Sequence, residues 1–432
     1  MNLPRSDASV ISRLRALPLA LVAIVALVLL SALFPVAPIH DAVTFEPITE
    51  ATLRRPMSYV FLAPISDVLD TLTLLSLRQH IALLASIIVA YGIWWWVTGR
   101  HALANVASAR RVLRETARIG VGAVVYTGLY AALAVMPRPM AALDPIGSVI
   151  AIDFHTHTKY SHDGRPDWTP EDVRRWHRDA GFGAAYVTDH RTFEGAREGW
   201  ANNPQLAGEG TTLLPGIEVV WRGEHVNVLD ADRMYRGLLT ADLRDVDDGA
   251  LTMASGLRGT EPLLIETLPG DLSKMHAATG PGTPGVRAIE VVDGAPLGLG
   301  QTRRERQRIA HLADSLNLAL VSGSDSHGWG HTASAWTLVY VPLWRSATPD
   351  QLSSGIPNIL RKGGRGSTRV VERYVADSDA PVLLALTVPL AAWGMLRSVS
   401  GDERILWIAW SVALYMTWRM VRARRKANPP AL

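Results

Sequence analysis

Three features of this 432-residue sequence predict an α/β barrel flanked by membrane helices. Short β-rich runs alternate with helical ones over 149–322, long apolar runs crowd toward both ends, and histidines and carboxylates fall where the strands stop. Alternating strands and helices imply a parallel sheet, and this number of repeats suggests closure into a barrel. In such barrels the chemistry gathers at the C-terminal ends of the strands.

The composition supports this division. The chain is 48% hydrophobic and only 19% charged, against about 25% charged residues in an ordinary soluble domain. The shortfall sits in the apolar runs, while the middle reads as soluble protein. The length allows two or three units, with boundaries at 1–147, 148–378 and 379–432. A net charge of +3 does not point to nucleic acid. Much of the excess lies beside apolar runs, as Arg110, Arg111, Arg114 and Arg118, then Arg419, Arg422, Arg424, Arg425 and Lys426. Membrane insertion and anionic headgroups select basic residues there. The chain has no cysteine, so any transition metal must be held by His, Asp and Glu.

The run 17–37 is apolar for about the ~20 residues that cross a bilayer core, longer than the ~7–15 of a signal peptide, so a retained helix is expected. Runs 81–98 and 119–136 are the next spans, the first closed by Trp94, Trp95 and Trp96, which suit an interfacial belt. The stretch 59–77 is interrupted by Pro64, Asp67 and Asp70 and reads as an amphipathic helix on the membrane surface. Runs 381–396 and 405–418 form a C-terminal hairpin followed by a basic tail. The positive-inside rule places Arg5, Arg13, Arg15 and the arginines of 100–118 in the cytoplasm. Three crossings then put the middle segment outside, in an integral protein of a bacterial inner membrane. Two further crossings would leave the basic tail outside as well, which the rule disfavours.

In the middle segment, 149–154 is a buried-strand run. Thr169, Pro170, Glu171 and Asp172 then open a helix with an N-cap, a proline at the first position and carboxylates in the first turn. Gly181 and Gly183 end it before a strand at 184–188. Further strands are expected at 213–220, 225–229, 262–267, 288–292 and 318–322, with an arginine-rich helix at 303–316.

Of 13 histidines, ten lie between positions 155 and 331. His155 and His157 follow the first strand, His190 the second, Glu218 and His225 flank the next turn, and Asp325 and His327 follow the last. Residues i and i+2 on a strand share a face, so His155 and His157 can bind one metal together, and Asp325 with His327 repeats the device. Imidazole and carboxylate without thiolate suit Zn, Mn or Fe.

These residues carry a family resemblance. Asp153-Phe154-His155-Thr156-His157-Thr158-Lys159-Tyr160-Ser161-His162-Asp163-Gly164 resembles the opening motif of the polymerase and histidinol phosphatase (PHP) family. Val187-Thr188-Asp189-His190 resembles its second motif, Gly216-Ile217-Glu218 its third, and Gly323-Ser324-Asp325-Ser326-His327 its last. The resemblance implies a distorted seven-stranded β/α barrel, TIM-like and of PHP type, holding two or three divalent metals and hydrolysing phosphate esters. By position, His155 and His157 would bind the first metal, Glu218 would bridge to a second served by His225, and Asp325 would bind near the first. His190 and His327 would serve a third, with His162 or Asp163 beside them. In one departure, Leu268 stands before Pro269 where the family usually has a histidine, which leaves the second metal short unless Glu266 or His276 moves in.

The implied mechanism is hydrolysis by a water whose pKa falls from ~15.7 toward ~7 on a metal. Asp325 would accept its proton, and His190 or His327 would assist the leaving group. The expected substrate is a small-molecule or lipid-linked phosphate mono- or diester. Two alternatives are a carbamate or carboxylic ester on the same site, and a non-catalytic domain sensing a metal or anion. Membrane lipids are expected partners and nucleic acid is not. His177 and His311 fall in helical stretches and read as satisfied polar residues, as does His276. Arg303, Arg304, Arg306 and Arg308 read as a solvated helix face.

Overall fold

The computed structural model describes residues 19–99, 108–190, 192–229, 262–268, 271–278, 285–295, 298–375 and 381–427. The strands in chain order are β1 (Ile39–Asp41), β2 (Ala51–Arg54), β3 (Ala142–Pro145), β4 (Val149–Thr156), β5 (Ala184–Val187) and β6 (Thr212–Trp221). They continue as β7 (Glu224–Leu229), β8 (Leu263–Glu266), β9 (Val286–Asp293), β10 (Ala319–Gly323), β11 (Ala335–Tyr340) and β12 (Thr368–Arg373). Each of the seven strand runs read from the sequence coincides with one of β4 to β10.

The sheet corrects the expectation of a seven-stranded parallel barrel. Ten strands form one strongly curled, mixed half-barrel in the order β1-β12-β11-β4-β5-β6-β7-β8-β9-β10, and β2 pairs separately with β3. The β6–β7 pair is antiparallel because Arg222 and Gly223 both adopt positive φ, 53° and 84°. That is the two-residue hairpin turn whose twist matches its strands. After β10 the chain continues through β11, which returns antiparallel to β4. The curl brings β10 toward β11 and β12 through side chains: the Thr337 hydroxyl accepts from Ser322 N–H at 2.7 Å, and the Thr368 hydroxyl donates to Leu320 O at 2.6 Å.

Inside the curl, Ile150, Ile152, Phe154, Tyr186, Leu214, Leu263 and Val321 pack against Leu352, Ile356 and Leu360 of the helix Pro349–Gly363. The helix Pro170–Ala180 carries the expected Thr169 cap, whose hydroxyl accepts from Asp172 N–H, and it stops at Gly181 with φ 88°.

The stretch 59–77 departs from the surface helix expected of it. It breaks into Met57–Phe61 and Ala63–Thr73, and Asp67 and Asp70 are 4% and 1% exposed. Asp70 pairs with Arg138 and Arg373 and accepts from the Thr332 hydroxyl at 3.1 Å. Asp67 accepts from Trp407 Nε1 at 2.9 Å and from the Tyr59 hydroxyl at 3.2 Å. The polar face therefore docks into protein, and the aspartates tie the helical part to the sheet.

The other helices of that part are Leu19–Ser31, Leu77–Gly99, Ser108–Val135, Pro381–Leu384, Thr387–Ser398 and Gly401–Ala427. Among the described residues, one helix, through its segment Leu77–Trp94, is long and apolar enough to cross a membrane by length and composition, and Leu19–Ser31 is a shorter apolar helix. The run 381–396 is not one continuous helix: it breaks at Ala385, whose carbonyl accepts from the Ser86 hydroxyl at 3.1 Å. Arg397, at its end, donates to Phe34 O beside the sheet-side end of Leu19–Ser31.

Candidate metal centre

The centre is built at one end of the sheet by loops that strands deliver. Ile150, Ile152 and Phe154 of β4 face the inner core, so strict alternation would turn His155 away from it. The β4–β5 register shifts between Asp153 and Thr156, and a bulge of this kind re-aims side chains. His155 and His157 consequently both face the site. Asp153 pins the first and last loops together, accepting from His155 N–H at 3.1 Å and Ser324 N–H at 2.9 Å. Its other oxygen lies 2.7 Å from His177 Nε2, which makes His177 a fully buried structural residue. Asp325 holds φ at 44°, a strained conformation for a side chain without glycine's freedom, of the kind concentrated at functional sites.

Four donor atoms converge. His155 Nε2 lies 3.1 Å from His157 Nε2, 3.0 Å from Glu218 Oε2 and 3.4 Å from Asp325 Oδ1. His157 Nε2 lies 3.4 Å from the same Glu218 oxygen and 3.1 Å from the same Asp325 oxygen. Ligands held at about 2.0–2.2 Å from one ion stand about this far from each other. The donors fit a divalent transition metal.

Two further groupings share members with the first. His157, Asp163, His190 and His327 bring one ligand atom each within 4.8 Å of one another, as do His190, Glu218 and His225. Asp163 Oδ2 is 3.2 Å from His327 Nε2 and 3.6 Å from His190 Nε2, and Glu218 Oε1 is 2.7 Å from His225 Nδ1. Glu218 thus reaches the first group with one oxygen and the His225 group with the other. Its neighbour in the ladder is Asn227, on the same face as His225.

The electrostatics favour positive charge at this point. Burial would depress His157, but contacts with Asp325 and Glu218 override it and push the ring up to about 10. Burial would raise Glu218, yet His155, with hydrogen bonds from His155, His157 and His225, holds it well below the usual carboxylate range. Burial would also raise Asp163, and His327 and Ser161 outweigh it to hold it low. His190 moves the other way, lowered to about 4 chiefly by burial, which leaves its ring neutral at pH 7. A field that keeps protons on imidazole in a dry site equally favours a cation.

Of the nine residues singled out in the sequence, eight enter these groupings and His162 does not. Its side chain is 53% exposed and its ring centroid lies 5.1 Å from that of His190. Neither Glu266 nor His276 fills the place left by Leu268. Glu266 pairs in register with Val226, on the face opposite His225, and His276 packs edge-on against Trp221. Strand alternation excludes Glu266 from the site.

Two buried carboxylates were missed. Glu290 and Asp293 group with His155, and Glu290 Oε1 lies 3.5 Å from His155 Nδ1. The other Glu290 oxygen accepts from Leu268 N–H at 3.0 Å. The signal was present: Glu290 interrupts the apolar run Ala288-Ile289-Glu290-Val291-Val292, where a charge needs a partner.

No family model matches the chain, and no curated protein is similar to it. Among solved structures it is similar to PsfC from Pseudomonas syringae PB-5123, at 20% identity and a TM-score of 0.38, over 57% of this chain and 97% of that one. It is similar to a two-domain protein containing a predicted PHP-like metal-dependent phosphoesterase from Bacteroides vulgatus ATCC 8482, at 14% identity and a TM-score of 0.31, over 52% and 66%. A third similarity is to the lesion-specific endonuclease PfuEndoQ from Pyrococcus furiosus, at 15% and 0.35, over 50% and 56%. These likenesses are distant, and the functional reading rests on the site itself.

Proposed function

We propose that the chain is a membrane-anchored, metal-dependent phosphoesterase acting on a phosphate mono- or diester through two or three divalent ions (Zn, Mn or Fe). The observation that carries this reading is that Glu218 and Asp325 each come within 3.0–3.4 Å of both His155 and His157, themselves 3.1 Å apart, with Glu218 reaching on to His225 and His157 to Asp163, His190 and His327.

When bound, the metals would supply Lewis acidity toward the phosphoryl oxygens and lower the pKa of an attacking water. The chain's own residues do the rest. Glu218 and Asp325 would supply the negative charge that balances the cations, and Glu218 reaches both His155 and His225. Asp325, partly exposed at the rim, takes the proton of the attacking water. His327, rather than the neutral His190, assists the departing alkoxide, which leaves as the alcohol once protonated. For a monoester the products are that alcohol and inorganic phosphate.

Leu268 favours a second reading, hydrolysis of a carbamate or carboxylic ester. With no histidine there, the His190–Glu218–His225 group offers three protein donors, and a weaker second metal suits acyl transfer better than phosphoryl transfer. The purified full-length protein, reconstituted with Zn, Mn or Fe, decides between them. Release of nitrophenol from aryl phosphate supports the first reading and release from aryl ester alone the second. Metal bound without turnover of either would overturn both.

The anchoring rests on an apolar girdle. Large apolar side chains on four helices are exposed, among them Leu29, Ile87, Val89, Val121, Val125, Ile405 and Leu414, far beyond the scattered exposure of a soluble surface. The helix ends near the sheet are Ser31, a short loop before β1, and Leu77, Val135 and Gly401, marked by Leu75 packed with Val375 just past β12, Arg138 paired with Asp70, and Glu403 paired with Arg55 just past β2. The arginines lie at the far ends. At 1.5 Å rise per residue, Arg118 stands about 26 Å from Val135 and Arg419 about 27 Å from Gly401, close to the ~30 Å of a bilayer core. The segment 381–398 turns back toward the sheet side, so the basic tail ends on the same side as Arg114 and Arg118. This arrangement is free of the conflict with the positive-inside rule, and it supports the reading in which the catalytic segment lies outside the cytoplasm. With no native cysteine, single cysteines at Ser346 and Ala427 report orientation by impermeant thiol labelling of intact cells. Labelling at Ser346 and not at Ala427 is expected, and the reverse pattern would contradict it.

A further inference from the structure

A cavity of about 410 Å³ starts at the metal centre and ends among the apolar helices. Asp325 and His327 line one end. Leu75, Leu77 and Tyr130 line the other, where the helices Leu77–Gly99 and Ser108–Val135 meet the sheet domain. Between them the wall is mostly apolar, with Trp176, Leu299 and Trp329. No arginine, lysine, asparagine or glutamine is among its described lining residues. Its size is that of a small-molecule site, about 300–1,000 Å³.

We infer that this cavity holds the hydrocarbon tail of the substrate, so that the ester cleaved is a lipid phosphate whose headgroup reaches the metal centre. The inference rests on the phosphoesterase reading for its head and on the cavity for its tail. A hydrophilic phosphate such as a sugar phosphate or nucleotide carries hydroxyls or ring nitrogens that need polar partners once buried. Beyond the catalytic end the wall's polar side chains include Thr73, His80, His331, Thr332 and Ser334, but Thr73 and Thr332 bond each other, Thr332 also donates to Asp70, and His80 meets the Tyr126 hydroxyl. An alkyl chain needs no polar partner, and gains by leaving water.

The position of the mouth argues the same way. Leu77 is 58% exposed at the first residue of the longest apolar segment, and Ile81 below it is 60% exposed. A lipid lying in the girdle therefore meets the opening without its tail crossing water. Trp329, 54% exposed, stands on the last-motif loop just beyond His327, where an indole suits the boundary between headgroup and chain. The cleavage breaks the P–O bond to the lipid alcohol as water adds to phosphorus. The alcohol stays in the membrane and phosphate leaves through the side where Asp163 and His225 are open to solvent.

The test uses the full-length protein in lipid nanodiscs and two readouts. The first is photolabelling by phosphatidic acid with a diazirine in its acyl chain, mapped by mass spectrometry. Adducts are expected on the segments holding Leu75, Leu77 and Trp329, reduced by excess phosphatidic acid. Adducts confined to outward positions such as Ile87 and Val121, with none on the cavity wall, would overturn the proposal. The second is the ratio of kcat/KM for phosphatidic acid to that for glycerol 3-phosphate. It should exceed about tenfold, the scale on which apolar contacts discriminate, and collapse in Leu77→Arg and in Leu77→Trp. A ratio near one in the native protein would refute a tail site and leave the phosphoesterase standing. Cavity labelling without release of phosphate from either compound would retain the tail site and refute the phosphoesterase.

Discussion

His155 and Glu218, 63 residues apart in sequence, meet with Nε2 and Oε2 3.0 Å apart in a site where both are buried. The other Glu218 oxygen lies 2.7 Å from His225 Nδ1. One carboxylate thus addresses two groups of donors, which is what a residue bridging two cations must do. Glu218→Gln removes the charge and keeps the shape. It should cut hydrolysis by at least about 100-fold, since the metals supply most of the charge stabilisation in such reactions. Bound metal, measured by inductively coupled plasma mass spectrometry, should fall in the same variant.

Glu290 acts one step behind. A carboxylate 3.5 Å from His155 Nδ1 selects the tautomer whose Nε2 is free to face the metal, and partners of this kind are worth about 10–100-fold in metal affinity. Glu290→Gln should weaken zinc binding in that range, read by competition with a chromogenic chelator. Unchanged affinity would show that His155 is oriented by other contacts.

Gly323 leaves room for that pair. A Cβ there would stand 2.0 Å from Glu290 Oε1 and 2.4 Å from His155 Cβ. Gly323→Ala should cost about 1–3 kcal/mol, as overpacking of a filled interior does, and should lower metal content as well. Thermal unfolding with and without chelator separates the two effects.

Glu266 lies outside the centre and gives a pH signature of the fold. Burial, with Glu224 nearby, raises it to about 8, against about 4.3 in an unfolded chain. Between those values the folded state binds more protons than the unfolded one, so stability falls as pH rises. The contribution is intact below about pH 4.3 and lost by about pH 8. Glu266→Gln should therefore gain stability over the native protein as pH rises through this window, with no gain at its acid end. A difference in unfolding midpoint that stays flat from pH 5 to 8 would refute the shift.

Much of this architecture was legible. Buried β-rich runs mark β4 to β10, and the Thr169–Pro170 start and Gly181 stop locate the helix Pro170–Ala180. Strand direction was not legible, because side-chain period is the same in parallel and antiparallel pairs. The one cue to the β6–β7 hairpin was the two-residue turn at Arg222-Gly223. At three residues, β1 is too short to carry a period. In the site, strand-end position distinguished His155, His157, His190 and Asp325 well, but the loop at 162–163 follows no period, and geometry alone separates Asp163 from His162. Asp67 and Asp70 misled for a related reason. Helical spacing shows that two carboxylates share a face, and whether water or Arg138 and Arg373 covers that face is a tertiary fact.

The central claim is that these imidazoles and carboxylates hold divalent cations together, and metal stoichiometry tests it most directly. Full-length protein equilibrated with Zn, Mn or Fe and freed of excess should retain two or three ions per chain. Anomalous scattering should place them among His155, His157, Glu218, Asp163, His190 and His327. A protein that retains no divalent ion under these conditions, or retains one only away from these residues, would contradict the account.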